Sequence, residues 1–78
     1  MTRKEAEKLI RASDAHPIVV AFLKRTDKTL RIMVCRSLVP SPLTDRITVK
    51  DLKINGIRCI PVEGIVAVST HDRWEAVQ

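Results

Sequence analysis

The first residues carry a short amphipathic pattern that predicts a helix from Arg3 to about Ala12. Thr2 and Glu5 have the spacing of a capping box, in which each side chain accepts a hydrogen bond from the other residue's backbone N–H. A narrow apolar stripe follows, made of Ala6, Leu9 and Ile10. A helix of this length does not persist alone in water, so we expect the stripe to dock on the rest of the chain.

The remainder of the chain alternates between apolar runs rich in β-branched residues and short polar segments, a pattern that predicts strands. The predicted strands are Ile18–Arg25, Thr29–Arg36, Ile47–Ile54, Ile57–Val62 and Ile65–Ser69. Within the second strand, Leu30, Ile32 and Val34 should face one way and Arg31, Met33 and Cys35 the other, because side chains alternate along a strand. The segment between the second and third strands, with Pro40 and Pro42, is expected to be a loop.

The dipeptide Asn55-Gly56 lies between the third and fourth predicted strands and favours a two-residue type I′ turn, in which both central residues have positive φ. Such a turn would place Lys53 opposite Arg58, and facing like charges destabilise a strand pair unless they are solvated or bound to an anion. A wider turn would remove this pair, so both registers stay open. Pro61 cannot donate a ladder hydrogen bond, which favours an edge or a bulge for the fourth strand.

Five short antiparallel strands cannot bury two faces as a flat sheet, but a sheet that curls into a small barrel also removes exposed edges. With 78 residues the chain has the length of one domain. We therefore expect a mainly β domain over residues 1–78, with an N-terminal helix in 1–15, a barrel in 18–69 and a polar tail in 70–78.

Composition adds a charge bias and a shortage of aromatic residues. The net charge is +5, the isoelectric point is near 9.8, and the aromatic residues are Phe22 and Trp74 alone. The core should therefore be aliphatic. A basic domain of this kind suits an acidic partner, either nucleic acid or an acidic protein surface, although the same charge is ordinary for solubility.

The chain has no apolar run near the ~20 residues that a membrane span needs, and its first residues are charged rather than signal-like. We therefore expect a cytoplasmic protein with reduced thiols and no membrane partner. Cys35 and Cys59 lie in apolar runs and are interpreted as small buried hydrophobic residues. A disulfide between them would require the second and fourth strands to be neighbours.

Several short segments carry a likeness to a known family: Val20–Lys24, Lys28–Met33, Ile47–Leu52, Ile57–Pro61 and Ile65–Val68. In them the chain resembles small, mostly phage-encoded proteins described as WYL-like with an Sm-like SH3 β-barrel fold. The likeness spans about Ile18 to Ser69, and the chain lacks the Trp-Tyr-Leu triplet of full-length WYL domains. It implies a five-stranded antiparallel SH3/Sm-like small barrel behind the N-terminal helix, and a phage or prophage origin. Small phage proteins of this size are commonly regulators that bind nucleic acid or a host protein.

Candidate binding residues are the cations on or beside the predicted strands, together with a Trp in the tail. They are Lys24, Arg25, Lys28, Arg31, Lys50, Lys53, Arg58, Arg73 and Trp74. A basic barrel face would contact nucleic-acid phosphates, but single-strand binders usually stack bases on aromatic rings, which are scarce here. Trp and Arg are frequent anchors of protein interfaces, although Trp74 could instead cap the open end of the barrel. A regulator that binds a host protein is therefore the first hypothesis, and a nucleic-acid-binding regulator is the alternative.

Catalytic, metal and cofactor sites are not predicted. His16, Cys35, Cys59 and His71 are scattered without the spacing of a metal site. The local acid–base pairs, Asp14 with His16 and His71 with Asp72, have no evident nucleophile or phosphate-binding loop beside them. We expect a protein that is not an enzyme, with its oligomeric state open.

Overall fold

The computed structural model describes residues 1–38, 45–70 and 73–78, which form one helix and six strands. A single-turn 3₁₀ helix, Val62–Gly64, separates the fourth strand from the fifth. The elements are α1 (Arg3–Arg11), β1 (Ile18–Leu23), β2 (Leu30–Ser37), β3 (Arg46–Asp51), β4 (Gly56–Pro61), β5 (Ile65–Thr70) and β6 (Arg73–Ala76). The predicted loop prolines, Pro40 and Pro42, and the pair His71–Asp72 lie outside the described residues.

The predicted helix is confirmed, including its capping box. Thr2 Oγ1 accepts a hydrogen bond from the Glu5 N–H at 3.1 Å, and Glu5 Oε1 accepts one from the Thr2 N–H at 2.9 Å. Ala6 and Ile10 are fully buried, whereas Leu9, at the edge of the predicted stripe, stays 38% exposed. The helix therefore docks through a narrower stripe than its sequence pattern predicts.

The strands form a single antiparallel sheet in the order β4-β3-β2-β1-β5-β6, so the prediction of a five-stranded closed barrel is wrong in two respects. The segment predicted as a polar tail contains β6, which pairs with β5 and places Trp74 opposite Ser69. Because β6 occupies the outer side of β5, the sheet keeps two edges, β4 and β6, and does not close. It still bends, with a register irregularity between Ala21 and Phe22, and β1 contacts β4 across the bend.

The turn between β3 and β4 is wider than the two-residue turn that Asn55-Gly56 favours. The strands pair from Arg46 opposite Pro61 to Asp51 opposite Gly56, which leaves residues 52–55 as a four-residue turn. Asn55 takes the positive φ, at 56°, and Gly56 is an ordinary strand residue.

The four-residue turn shifts the β3–β4 register and so separates Lys53 from Arg58, which a two-residue turn would have placed opposite each other. Arg58 lies opposite Val49, and Lys53 lies within the turn. The buried Asp51 carboxylate accepts the Lys53 N–H at 3.0 Å and so fixes the first part of the turn. The buried Asp51 side chain thus stabilises the four-residue turn, and with it the observed register, over the two-residue alternative.

The core lies between α1 and one face of the sheet, which we call the inner face. Arg31, Met33 and Cys35 point to this face and Leu30, Ile32 and Val34 to the other, as predicted. The buried cluster consists of Ala6, Ile10, Ile18, Val20, Phe22, Met33, Cys35, Ile47, Val49, Ile60, Ile65 and Val68. Apart from Phe22, it contains no aromatic side chain. At the end of α1, Ser13 Oγ accepts the Ser37 N–H at 2.9 Å and ties the helix to β2.

Both cysteines are free, and they differ in environment. Cys35 is buried on β2, and burial, followed by the nearby Asp51 charge, raises the pKa of its thiol to about 11. Cys59 is exposed on β4, contrary to the interpretation of both as buried residues. A disulfide between Cys35 and Cys59 would require β2 and β4 to be neighbours, but β3 lies between them in the sheet.

No helix in the described part of the chain is long and apolar enough to cross a membrane.

Gly64 is expected to be intolerant of a side chain. A Cβ atom at this position would lie 2.5 Å from the backbone oxygen of Leu23, so Gly64→Ala requires the 3₁₀ turn and β1 to move apart. We expect a loss of about 1–3 kcal/mol in the free energy of unfolding, measured by chemical denaturation. The matched control is Gly56→Ala, whose Cβ would meet only the Ile54 side chain at 3.4 Å. Equal stability of the two variants would contradict this account.

Candidate binding surfaces

A cavity of about 370 Å³ opens between the turn that follows β1 and the strand β4. Five of the side chains around it are cationic: Lys24, Arg25, Arg31, Arg46 and Arg58. Among the residues that the structure describes, no Asp or Glu lines it. We call this cavity, with these five cations, the basic pocket.

Antiparallel pairing brings these residues together from distant parts of the sequence. Arg31 lies opposite Phe22 in the β1–β2 pair, so both occupy the inner face near the same end of the sheet. The bend that brings β4 against β1 then places Arg58 beside them. Lys24 and Arg25 follow β1 directly, in the turn that leads to β2. No residue of α1 lines the pocket, so the helix does not cover the pocket at this end of the core.

The pocket has an apolar floor as well as a charged wall. Phe22, Met33 and Pro61 contribute apolar surface, and the Phe22 ring belongs to the core, with only 3% of the residue exposed. Cys59, which is exposed, lines the pocket as well. The cavity is thus amphipathic, with cations around an apolar base.

Three of the five cations have carboxylate partners. Asp45 Oδ2 lies 3.6 Å from Arg25 Nη1 and 3.6 Å from Arg46 Nη1, so one carboxylate serves two guanidinium groups. Arg31 Nη2 pairs with Asp51 Oδ2 at 3.0 Å. Within the described ranges, Lys24 and Arg58 have no ion-pair partner. The pocket therefore keeps a surplus of positive charge.

Asp51 is a buried carboxylate held by several donors. Burial by itself would raise the pKa of the Asp51 carboxyl, but hydrogen bonds from the Lys53 and Ile54 N–H groups and from Arg31 outweigh it. The pKa of Asp51 is therefore lowered from its usual value, and the charged form stabilises both the turn and the position of Arg31.

Of the predicted binding residues, Lys24, Arg25, Arg31 and Arg58 meet in the basic pocket. Lys28, at positive φ, lines a neighbouring groove with Arg25. Lys50 and Lys53 lie on β3 and in the turn after it, outside the pocket. Arg73 and Trp74 lie on β6, at the opposite edge of the sheet. Trp74 is 49% exposed.

Arg46 is the one pocket cation that sequence reasoning missed. The sequence pattern predicts a third strand that begins at Ile47, which assigns Arg46 to the end of the preceding loop. Its position opposite Pro61, a residue of the pocket, follows only from the observed β3–β4 register. A third strand that begins one residue earlier, in the observed register, places Arg46 beside Pro61 in the pocket.

The second candidate surface is the sheet face that α1 does not cover, which we call the outer apolar face. Its centre is a row of branched aliphatic side chains on β2: Leu30, Ile32 and Val34 are 58%, 60% and 44% exposed. The strand register continues this face over β1, β5 and β6 with Val19, Ala21, Leu23, Ala67, Trp74 and Ala76. Ala21 is buried, and the polar Ser69 lies between Val19 and Trp74, so the exposed apolar part of this face is the β2 row. Adjacent exposed aliphatic side chains mark an interaction site more often than isolated ones do.

Cations border this face on its β3 side. Arg36 follows Val34 on the same face of β2, and it lies opposite Lys50 on β3. Residues directly opposite in an antiparallel pair point to the same side. The outer apolar face therefore has a positive rim along one edge.

No protein-family model, curated protein or solved structure matches the chain. The likeness to small phage-encoded barrel proteins therefore stays an expectation. What the chain can bind must be argued from its own two surfaces.

Asp51 is expected to make stability depend on pH in the acid range. Because its folded pKa is lowered, the carboxylate contributes stability above its ordinary pKa of about 3.9. This contribution is lost as the pH falls through the lower folded value. We expect Asp51→Asn to lower the unfolding temperature at pH 7 and to reduce the fall that the wild type shows on acidification, as followed by circular dichroism.

The control for this experiment is Asp14→Asn, which changes an exposed carboxyl in the same way. It should keep the acid dependence of the wild type. An Asp51→Asn variant whose unfolding temperature falls as steeply as that of the wild type would refute the role given to this carboxyl.

Proposed function

We propose that this protein is a non-enzymatic regulator that acts by binding another protein through its outer apolar face. The observation that carries the proposal is the exposed row of Leu30, Ile32 and Val34 at the centre of that face. The likeness to small phage-encoded proteins supports a partner in the cytosol of a host cell, where the regulator would modulate a larger protein machine.

The energetic reason is the cost of leaving this surface in water. Full burial of one branched aliphatic side chain contributes about 1.5–3 kcal/mol, and three such side chains lie side by side here. Trp74, on the same face at β6, adds a residue type that often anchors interfaces. Because Leu30, Ile32 and Val34 are 44–60% exposed, a partner that covers them would gain about half of this energy without a change in the fold.

The rim of the face indicates the charge of the partner. Arg36 and Lys50 flank the apolar row, so a complementary surface would have an apolar centre with acidic groups beside it. Charges at a rim mainly steer association and select the partner, whereas the buried apolar centre supplies affinity. This fits the expected host protein with an acidic surface.

A single charge in the middle of the face should abolish the interaction. Ile32 is 60% exposed, so Ile32→Glu should fold normally and yet place a carboxylate in the covered interface. We expect partner affinity to fall at least about tenfold, equivalent to ~1.4 kcal/mol. The measurement compares stoichiometric partners captured from nuclease-treated host lysate, followed by titration of the purified partner.

The matched control is Leu9→Glu, which also places a carboxylate at an exposed aliphatic residue, 38% exposed on α1. The helix packs on the inner face of the sheet, away from the apolar row, so partner binding should persist. Light scattering of the purified protein tests whether a second copy covers the face instead. Capture of one partner by the wild type and both variants alike would contradict the proposal.

A second candidate function is nucleic-acid binding, and the surplus positive charge of the basic pocket favours it. Phosphate contacts release counterions, so the logarithm of the binding constant should fall linearly with the logarithm of the salt concentration. Arg58 has no carboxylate partner among the described residues, which leaves its guanidinium available for a phosphate. We expect Arg58→Gln to reduce the salt slope for a single strand by roughly 0.7, as measured by fluorescence anisotropy.

The control for charge alone is Arg3→Gln, at an exposed residue in the first turn of α1 and outside the pocket. Its salt slope should match that of the wild type. Absence of binding to both DNA and RNA at low salt would exclude this second function.

A further inference from the structure

We infer that the basic pocket accommodates one unpaired nucleotide of a single-stranded nucleic acid, with its phosphate on the cations and its base over the apolar floor. This inference rests on the second candidate function, nucleic-acid binding. It goes further, because it assigns a site, a ligand unit and a preference for single strands over duplexes.

The shape of the pocket is the first reason. A duplex presents phosphates on its convex outside and keeps its bases stacked, so a flat basic surface is sufficient to bind it. Here the cations surround a cavity of about 370 Å³, which lies in the size range of small-molecule sites. A cavity of that size suits a group that leaves the strand and enters the protein.

The chemistry of the floor is the second reason. Phosphate alone has no use for apolar surface, whereas a base is a flat, largely apolar ring that does. Pro61, which is half-buried, supplies the accessible part of the floor, because Phe22 and Met33 are each only 3% exposed. The Phe22 ring is too deeply buried to act as a stacking platform. Arg guanidinium planes also stack on unpaired bases, so the Arg-rich wall can replace the missing aromatic residues.

The charge balance is the third reason. Arg25 and Arg46 share one carboxylate, Asp45, and Arg31 is matched by Asp51. Lys24 and Arg58 have no carboxylate partner in the described ranges of the chain. A phosphodiester group supplies a negative charge, and Arg is suited to bind it through two parallel hydrogen bonds.

Met33 offers a direct reporter for occupation of the pocket. It lines the cavity from the inner face of β2, whereas the second methionine of the chain, Met1, does not line it. In protein isotope-labelled at the methionine methyl groups, the ring current of a base in the pocket should shift the nuclear magnetic resonance signal of Met33 and leave the Met1 signal in place. The shift of the Met33 signal therefore measures local occupation rather than binding in general.

The experiment records the methyl signals of Met33 and Met1 by nuclear magnetic resonance at low salt, for the protein alone and with three ligands. They are a single strand of about 12 nucleotides, the duplex of the same sequence, and inorganic phosphate. Anisotropy of the labelled strands is recorded in parallel. We expect the single strand to shift the Met33 signal, and the duplex and inorganic phosphate to leave it near its position in the free protein. The single strand should also bind roughly tenfold more tightly than the duplex, a difference of about 1.4 kcal/mol.

Variants connect the Met33 shift to the pocket. Arg58→Gln should remove most of the shift, and Arg3→Gln should retain it, with folding of both verified by circular dichroism. A single strand that binds without shifting the Met33 signal, or a duplex that shifts it equally, would overturn the inference and leave nucleic-acid binding intact. Absence of any strand binding would remove both the inference and the second function.

Discussion

The structure depends on one constraint: among the described residues, one nine-residue helix covers one face of a six-stranded sheet. The helix buries Ala6 and Ile10 against the inner face, and the aliphatic core forms there. The outer face has no such cover, although its strands carry Leu, Ile, Val and Trp side chains. One short helix covers only one face of a six-stranded sheet, so the outer apolar face stays exposed in the described part of the chain.

The same constraint leaves the core open at one end. The helix packs on β2, β3 and β5, and the bend of the sheet brings β4 against β1 beyond it. The cations of the turn and of three strands meet at that opening around an apolar floor. The protein thus presents two surfaces of different chemistry, an apolar sheet face with a positive rim and a basic pocket. The first suits a protein partner, and the second suits a phosphate-bearing ligand.

Asp51 shows how one buried side chain coordinates local and tertiary structure. Its carboxylate fixes the turn through the Lys53 N–H and holds the Arg31 guanidinium at 3.0 Å. In doing so it selects the four-residue turn over the narrow one that Asn55-Gly56 favours, and this register places Arg58 opposite Val49 on the inner face. A core carboxylate thereby helps to determine which cations reach the pocket.

The sequence by itself determined the local elements: the capped helix from Thr2 and Glu5, the positions of five strands, and the opposite facing of Leu30 and Arg31 on β2. These follow from short-range periodicity and capping, which neighbouring residues specify. The tertiary structure alone decided that residues 73–76 pair with β5, that the sheet stays open, and that Arg46 joins the pocket. Each of these depends on which distant strand pairs with which and in what register, and no local pattern encodes that choice.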